Sequence, residues 1–449
     1  MSGQIILSEQ DCRFETSSGV DPVGRLFSYK NALYRGIAAS FTEFVLSTLA
    51  IAEERRWFDL GLVYTWPTSY SLPQFPLVIG HRRVPFVTVR GEWPAEALRQ
   101  ATLCFLKLAS ELDECGLCFK DAHTWNILFE GTRPIFVDWG SIRPKKELNW
   151  EFWFFQFRKY FLMPLFLFSL GQDRLARALV REHSVGVGNE LIDHRWTSPI
   201  PFKAFRIYRR HRRESSRWAY DKLAKYVAAL RFPHPDQSDW AHHEQLTLPN
   251  ESASDNLRRK ELLIHRLLED DPATTVLDLG CNYGRYSEMA TRLKKTVLAV
   301  DTKEICLDAL YLRARQQAQD ILPLYIDILW PIGESGYMLG LPSALERLRC
   351  DTVLALDLVH HLSFKFGLNF ETLGRTMSRL ARIKAIVEFV PVEDIRMAQW
   401  SPEHLPWYRL DYFLDAMSKY FDSVTVINSE PSPRVLVVLE GPRSSRLLR

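Results

Sequence analysis

Residues 276–284 read Val-Leu-Asp-Leu-Gly-Cys-Asn-Tyr-Gly, and Val297-Leu-Ala-Val-Asp301 follows shortly after. No other feature constrains the fold as tightly. The apolar run Thr275 to Leu279 stops at a glycine turn and gives way to a helical stretch, Arg285 to Leu293. A strand, a tight turn and a helix in this order set a ligand over the carboxyl end of the strand and the start of the helix. The second run reads as another buried strand, and it ends in an acid. An acid there can take both hydroxyls of a ribose in two charge-assisted hydrogen bonds. The expected ligand is therefore a nucleoside.

The glycine spacing narrows the choice. A dinucleotide loop needs G-x-G-x-x-G, so that bare backbone can approach a pyrophosphate. Those positions here hold Gly280, Asn282 and Arg285, and only the first fits. A P-loop fails as well, because no Gly-Lys-Ser/Thr follows. The pattern Asp278-x-Gly280-x-Asn282-x-Gly284 instead resembles motif I of the class I S-adenosylmethionine (SAM) methyltransferases. The resemblance implies SAM as cofactor, with Asp278 serving its amino-acid end and Asp301 its ribose. Leu322 to Asp327 reads as a third strand ending in an acid, which the resemblance places beside the adenine amino group. Asp351 to Asp357 is a fourth strand, with Asp357 joining the cofactor-binding set, and Ala385 to Pro391 is a fifth. Helical patterns separate them, for example Phe370 to Ile383 with Leu373, Met377 and Leu380 on one face. Val424–Ile427 and Val435–Leu439 are joined by a turn too short for a helix, so they should pair antiparallel. The expected fold class is α/β, with a seven-stranded Rossmann-like methyltransferase sheet at residues 256–449.

A chain of 449 residues is too long for one core. Its net charge of +3 neither favours nor disfavours an anionic partner. Seven cysteines, scattered at 12, 104, 115, 118, 281, 306 and 350, do not read as a disulfide framework, so a reducing cytoplasm is the expected location. The first 30 residues are polar and mixed in charge and do not read as a signal peptide. The apolar stretch Tyr160 to Leu170 is interrupted by Pro164 and falls well short of the ~20 residues of a spanning helix. It reads as a buried helix, with peripheral membrane contact as the alternative.

The first half carries a second constellation. Phe119-Lys-Asp-Ala-His-Thr-Trp-Asn126 sets Asp121 and Asn126 in D-x-x-x-x-N spacing, and Asp138 follows in Pro134-Ile-Phe-Val-Asp-Trp-Gly140. This resembles the catalytic loop and metal-binding acid of protein-kinase-like and aminoglycoside-phosphotransferase-like enzymes. One acid would accept a hydroxyl proton, while an amide and a second acid would hold magnesium on phosphates. The rest of such a site is missing from the sequence. Lys30 is the only lysine before residue 100, no Val-Ala-Ile-Lys strand is present, and no glycine-rich loop precedes it. Residues 1–148 are therefore expected to be a degenerate kinase-like α+β segment, with Asp121, Asn126 and Asp138 as its remnant. Trp93 onward, Lys120-Asp-Ala, the aromatic block from Trp150, the glycine turn, His360-His-Leu and Glu388 to Pro391 recur together. In this they resemble a bacterial family that fuses a kinase-like segment to a SAM methyltransferase and includes rhizobial nodulation proteins.

Residues 149–230 read as helical and rich in aromatics, with a basic run from Lys203 to Arg217 that includes Arg206, Arg209, Arg210, Arg212 and Arg213. Such runs are most often solvated helix faces, so nucleic acid is not expected as a partner. Residues 231–255 read as a linker. Cys115-Gly-Leu-Cys118 lacks partner ligands, and His242-His243 lack any ligand context, so no metal site is expected.

Methyl transfer from a sulfonium needs alignment of acceptor and methyl, and often removal of the acceptor's proton. His360 and His361 follow the fourth strand, where a neutral histidine could take that proton, and Glu388 at the end of the fifth strand is a weaker candidate. The acceptor is not legible from motifs. The family resemblance implies a small-molecule or glycolipid acceptor, such as a sugar or lipo-oligosaccharide hydroxyl, and a nodulation role. Two alternatives stay open: a kinase-like phosphotransferase with a regulatory SAM-binding domain, and a non-catalytic SAM-binding scaffold. Oligomeric state is not legible.

Overall fold

A computed structural model describes residues 5–15, 21–181, 199–211, 214–234, 255–270, 272–336, 339–400 and 404–443. They cluster into two compact units, 1–235 with 332–342, and 236–331 with 343–449. Residues 1–148 and 149–230, expected as separate segments, thus share one unit. The reason is packing: helix Ala95–Glu114 lies against helix Ser216–Ala228. The short segment 332–342 also groups with the first unit rather than with the methyltransferase segment. Most of the expected linker lies outside the described residues, His242 and His243 included, as do Arg212 and Arg213.

The second unit holds one mixed sheet. Its strands are β1 Thr275–Leu279, β2 Thr296–Asp301, β3 Ile321–Tyr325, β4 Cys350–Ala355, β5 Ala381–Phe389, β6 Phe421–Asn428 and β7 Val435–Pro442. They lie in the order 3-2-1-4-5-7-6. Strands β1 to β5 run parallel, while β7 pairs antiparallel with both β5 and β6. The helices are α1 Asp255–Glu269, α2 Arg285–Arg292, α3 Glu304–Gln316, α4 Ala344–Arg347, α5 Phe370–Leu380 and α6 Leu410–Ser418. Strands covered on both faces are continuously apolar. Accordingly Val276, Val297, Ala299, Ile321, Leu354 and Ile386 are fully buried, packed with Leu307 and Leu310 of α3. β6 lies at the sheet edge and is largely exposed. Helix α5 ends at Leu380, three residues earlier than its periodicity predicts. Ala381 already pairs with Cys350 at the start of β5, so the ladder overrides the helical pattern.

In the first unit, a five-stranded antiparallel sheet contains Arg13–Phe14, Gly24–Tyr29, Ala32–Ile37, Leu77–His81 and Thr65–Pro67, in that lateral order. The central hairpin turns at Lys30 and Asn31, with φ of +46° and +64°. Positive φ at both positions is the type I′ turn that matches strand twist. Beyond helix Thr42–Glu54 comes Ala95–Glu114, whose Phe105 stacks on Phe119, Trp153 and Phe161 at 5.2, 5.7 and 5.0 Å. The aromatic block therefore builds the core, and Phe161, Leu165 and Phe168 are fully buried. No described helix is long and apolar enough to cross a membrane. Cys115 closes the helix and Cys118 lies in the buried strand Leu117–Phe119, its thiol pushed up to about 12 by burial.

Candidate functional site

The loop after β1 is built by three residues with left-handed φ: Gly280 (+73°), Asn282 (+48°) and Gly284 (+82°). Gly284 starts α2, and a Cβ there would sit 2.5 Å from Leu310 Cδ1, so only glycine lets α2 close on α3. The amides of Gly280 and Cys281 both donate to the Val300 carbonyl, at 2.8 and 3.0 Å, which ties the loop to β2. Asp301, the last residue of β2, accepts from the Asn282 amide at 2.9 Å through Oδ2. Its Oδ1 accepts from the amides of Thr302 and Lys303 at 2.6 and 3.0 Å. Burial raises the Asp301 pKa, while those three amides oppose the rise by favouring the charged form. An ionised carboxylate has about four acceptor positions, so one remains open beside the loop. The Asn282 side-chain oxygen is buried and has no hydrogen-bond partner.

Asp278 sits differently from the expected contact with the amino-acid end of a cofactor. It is 3% exposed and accepts from Ser287 Oγ at 2.6 Å, fastening β1 to α2. Burial raises its pKa to about 6. Asp327 is partly exposed just beyond β3, and its Oδ1 accepts from the Leu329 amide at 3.0 Å. The Ile326 amide donates to the Asp301 carbonyl at 3.0 Å, so Asp327 lies beside the end of β2.

The ends of β4 and β5 meet in a network of buried charges. Glu388 is fully buried; its Oε2 accepts from Lys260 Nζ of α1 at 2.6 Å and from the Asp357 amide at 2.8 Å. The carboxylate thereby ties β5 to α1 and to the turn after β4, while its Oε1 has no hydrogen-bond partner. Arg434, 3% exposed, donates to Asp357 Oδ1 at 3.0 Å and to Asp394 Oδ2 at 2.7 Å. Asp357 has φ +54°, and its amide and side chain are fixed by this network, which shapes the turn that carries the two histidines. Lys260 and Arg434 were missed in the sequence because each lies far along the chain from the acids it holds, and Asp394, just past β5, because it belongs to no motif. His360 and His361 stack at 4.1 Å between ring centroids, and the Trp400 ring stands edge-on to His361 at 5.1 Å. His360 is 4% exposed with Nδ1 unpartnered, and burial lowers its pKa to about 4. Burial also lowers that of His361.

Of the three residues singled out in the first unit, Asn126 and Asp138 are bonded to each other. Asn126 Nδ2 donates to Asp138 Oδ2 at 3.2 Å, and the Gly140 amide donates to Asp138 Oδ1 at 3.0 Å. Asp121 lies 3.7 Å from Lys120 Nζ. A strand cation is present after all: Arg35, in Ala32-Leu-Tyr-Arg35, pairs with Asp138 at 3.2 Å and with Asp21. A lone cation inside the apolar run Ala32 to Ile37 was the signal available in the sequence. A Cβ on Gly140 would strike the Asp21 carboxylate, so glycine there makes room for the pair.

No family model matches the chain. Nodulation protein NoeA of Rhizobium meliloti (strain 1021) is 26% identical over 438 residues, spanning 89% of this chain and 90% of that protein. The chain is a homologue of NoeA. Among solved structures, the PH0226 protein of Pyrococcus horikoshii OT3 is 16% identical with a TM-score of 0.33, covering 45% of this chain and 99% of its own. Magnesium protoporphyrin IX methyltransferase of Synechocystis PCC 6803, solved with bound SAH, is 13% identical at 0.32, covering 46% and 95%. The N-methyltransferase NodS of Bradyrhizobium japonicum WM9 is 15% identical at 0.31, covering 42% and 100%.

Independently of these likenesses, the strand order 3-2-1-4-5-7-6 and the loop after β1 give the second unit the class I SAM-dependent methyltransferase fold. The residues present fit SAM. The orphaned Asn282 oxygen offers a buried acceptor, and Asp301 offers an open position on a carboxylate beside bare backbone.

Proposed function

We propose that this chain transfers a methyl group from SAM to a small-molecule or glycolipid acceptor, with a sugar or lipo-oligosaccharide hydroxyl as the favoured acceptor. The observation that carries the proposal is the junction of β1 and β2, where Asp301 and the loop 280–284 are bonded together at the carboxyl ends of the strands, next to the β1/β4 switch point of the sheet. SAM supplies the methyl on a positively charged sulfur. The chain supplies binding and alignment. Asp301 takes a ribose hydroxyl at its remaining acceptor position, Asp327 lies where it can meet the adenine edge, and Asp278 acts through the β1–α2 contact that flanks the loop. The half-exposed Asp357, fixed by Arg434, places a negative charge at the end of β4 beside β1, where it favours a cation.

His360 supports alignment better than proton removal. A base whose conjugate acid has a pKa near 4 is a weak acceptor for a hydroxyl proton at neutral pH. It is always uncharged there, so it serves as a steady hydrogen-bond acceptor for an incoming hydroxyl. The preference for a glycolipid-type acceptor rests on the family resemblance read from the sequence, which includes nodulation proteins. Calorimetric titration with SAM tests the cofactor, and a screen of cell-extract fractions with labelled SAM tests the acceptor. A folded protein that binds neither SAM nor its demethylated product refutes the proposal.

The Arg35–Asp138 pair favours a second, lesser reading, in which the first unit keeps a phosphate-facing cation and binds a nucleotide. Titration with ATP and magnesium separates it from the first.

A further inference from the structure

Two stretches singled out in the sequence, the aromatic block after Trp150 and the basic run after Lys203, have no part in the cofactor site. They meet in the first unit. Phe154 stacks on Tyr208 with centroids 4.5 Å apart, joining helix Trp150–Phe157 to helix Pro199–Arg210. Most rings of the block fill the core, but Phe152 and Phe155 are 50% and 48% exposed. They stand three residues apart and so share one side of their helix. Lys159 Nζ lies over the rings of both Phe155 and Tyr160, at 5.7 and 5.8 Å. Tyr160 in turn meets Trp125, 51% exposed, at 5.7 Å. The Arg158 guanidinium stands over the Phe155 ring as well, at 5.9 Å, so the cations of this patch are Arg158 and Lys159.

Exposed aromatic rings flanked by cations are the composition of a surface that lies in the headgroup region of a bilayer. The rings reach the acyl boundary, while the cations meet lipid phosphates. The ring geometry favours lipid over nucleic acid. Arg158 and Lys159 stand over the Phe155 face at 5.9 and 5.7 Å, so that face is taken and could not stack on a base. Its edge remains free to enter hydrocarbon. We infer that this face of the first unit docks the protein on an anionic lipid surface. The docking depends on no assignment in the second unit.

The test is sedimentation of the full chain with vesicles of phosphatidylcholine alone and of phosphatidylcholine mixed with phosphatidylglycerol. Binding is expected to the mixed vesicles and to fall with added salt. The double variant Arg158→Gln/Lys159→Gln should weaken it by about fivefold per cation. Phe152→Ser/Phe155→Ser should weaken it by ~10-fold or more while leaving the thermal unfolding midpoint close to that of the parent, because both rings are already half in water. No binding to mixed vesicles overturns the inference. So does binding that neither double variant changes. Tight binding of a single-stranded oligoribonucleotide, without vesicle binding, would also overturn it and assign the face to nucleic acid.

Discussion

The Arg35 guanidinium lies 3.2 Å from the Asp138 carboxylate, across 103 residues of sequence. It also pairs with Asp21, and its side chain is only 7% exposed. One buried cation thus binds two acids drawn from separate segments of the first unit. Removing it leaves those acids facing each other uncompensated. Both acids are partly solvated, at 19% and 26% exposure, which reduces the cost. Arg35→Met is expected to destabilise the first unit by about 2–3 kcal/mol, scaled down from a fully buried pair. Urea unfolding measures it, and an unchanged midpoint would show that the pair contributes nothing.

The same pair bears on phosphotransfer. With the Asp138 oxygens engaged by Arg35, Asn126 and Gly140, no ATP hydrolysis or autophosphorylation is expected in ATP and magnesium. Turnover that Asp138→Asn abolishes would promote the nucleotide-binding reading over the methyltransferase one.

Asp301→Ala should weaken SAM binding at least tenfold. Each hydrogen bond from a ribose hydroxyl to the carboxylate contributes about 1.5–3 kcal/mol. Calorimetry on the folded variant is the check, and an unchanged dissociation constant moves the cofactor elsewhere.

Glu388→Gln should act on stability rather than on the chemical step. It leaves Lys260 buried without its counter-charge, at a cost of about 3–5 kcal/mol. The chain should unfold at clearly lower denaturant. A variant of parental stability that binds SAM normally but loses turnover would restore Glu388 as a catalytic acid or base.

Two buried histidines set the acid limb of stability. Burial lowers His360 to about 4 and His81 to about 3, from 6.5. Between those values and 6.5 the unfolded chain binds protons that the folded chain refuses, so stability falls as pH falls. For His360 the gap from 6.5 to about 4 corresponds to about 3 kcal/mol at full extent. Asp278 has the opposite sign. It is raised to about 6, so its contribution is present at low pH and is lost as pH rises through 6. His360→Asn should therefore lose roughly 2–3 kcal/mol less stability than the parent between pH 7 and 4.5. Equal losses in both proteins would mean that His360 is protonated in the folded state. Once an acceptor is known, turnover should show no inflection near pH 6.5 from His360. His360→Ala should cost only ~10-fold, against the ~10²–10⁴-fold expected for loss of a general base.

Strand periodicity, the glycine turn and the acid after β2 are local properties, and local chemistry was enough to place them. Hydrophobic runs specify buried parallel strands, and the turn at 280–284 needs left-handed backbone whatever surrounds it. Those residues by themselves determined the α/β sheet, its antiparallel terminal pair and the location of the cofactor loop. The buried character of Tyr160 to Phe168 was legible on the same grounds. Tertiary structure alone decided which charges meet. Lys260 lies 128 residues from Glu388, and Arg434 lies 77 and 40 residues from Asp357 and Asp394, so no window of sequence shows which acid each cation holds. Nor does the sequence show that Asp278 turns to Ser287, or that Arg35 answers Asp138. An ionisable side chain takes its role from burial and from the charge beside it. Both are set only when distant segments pack together.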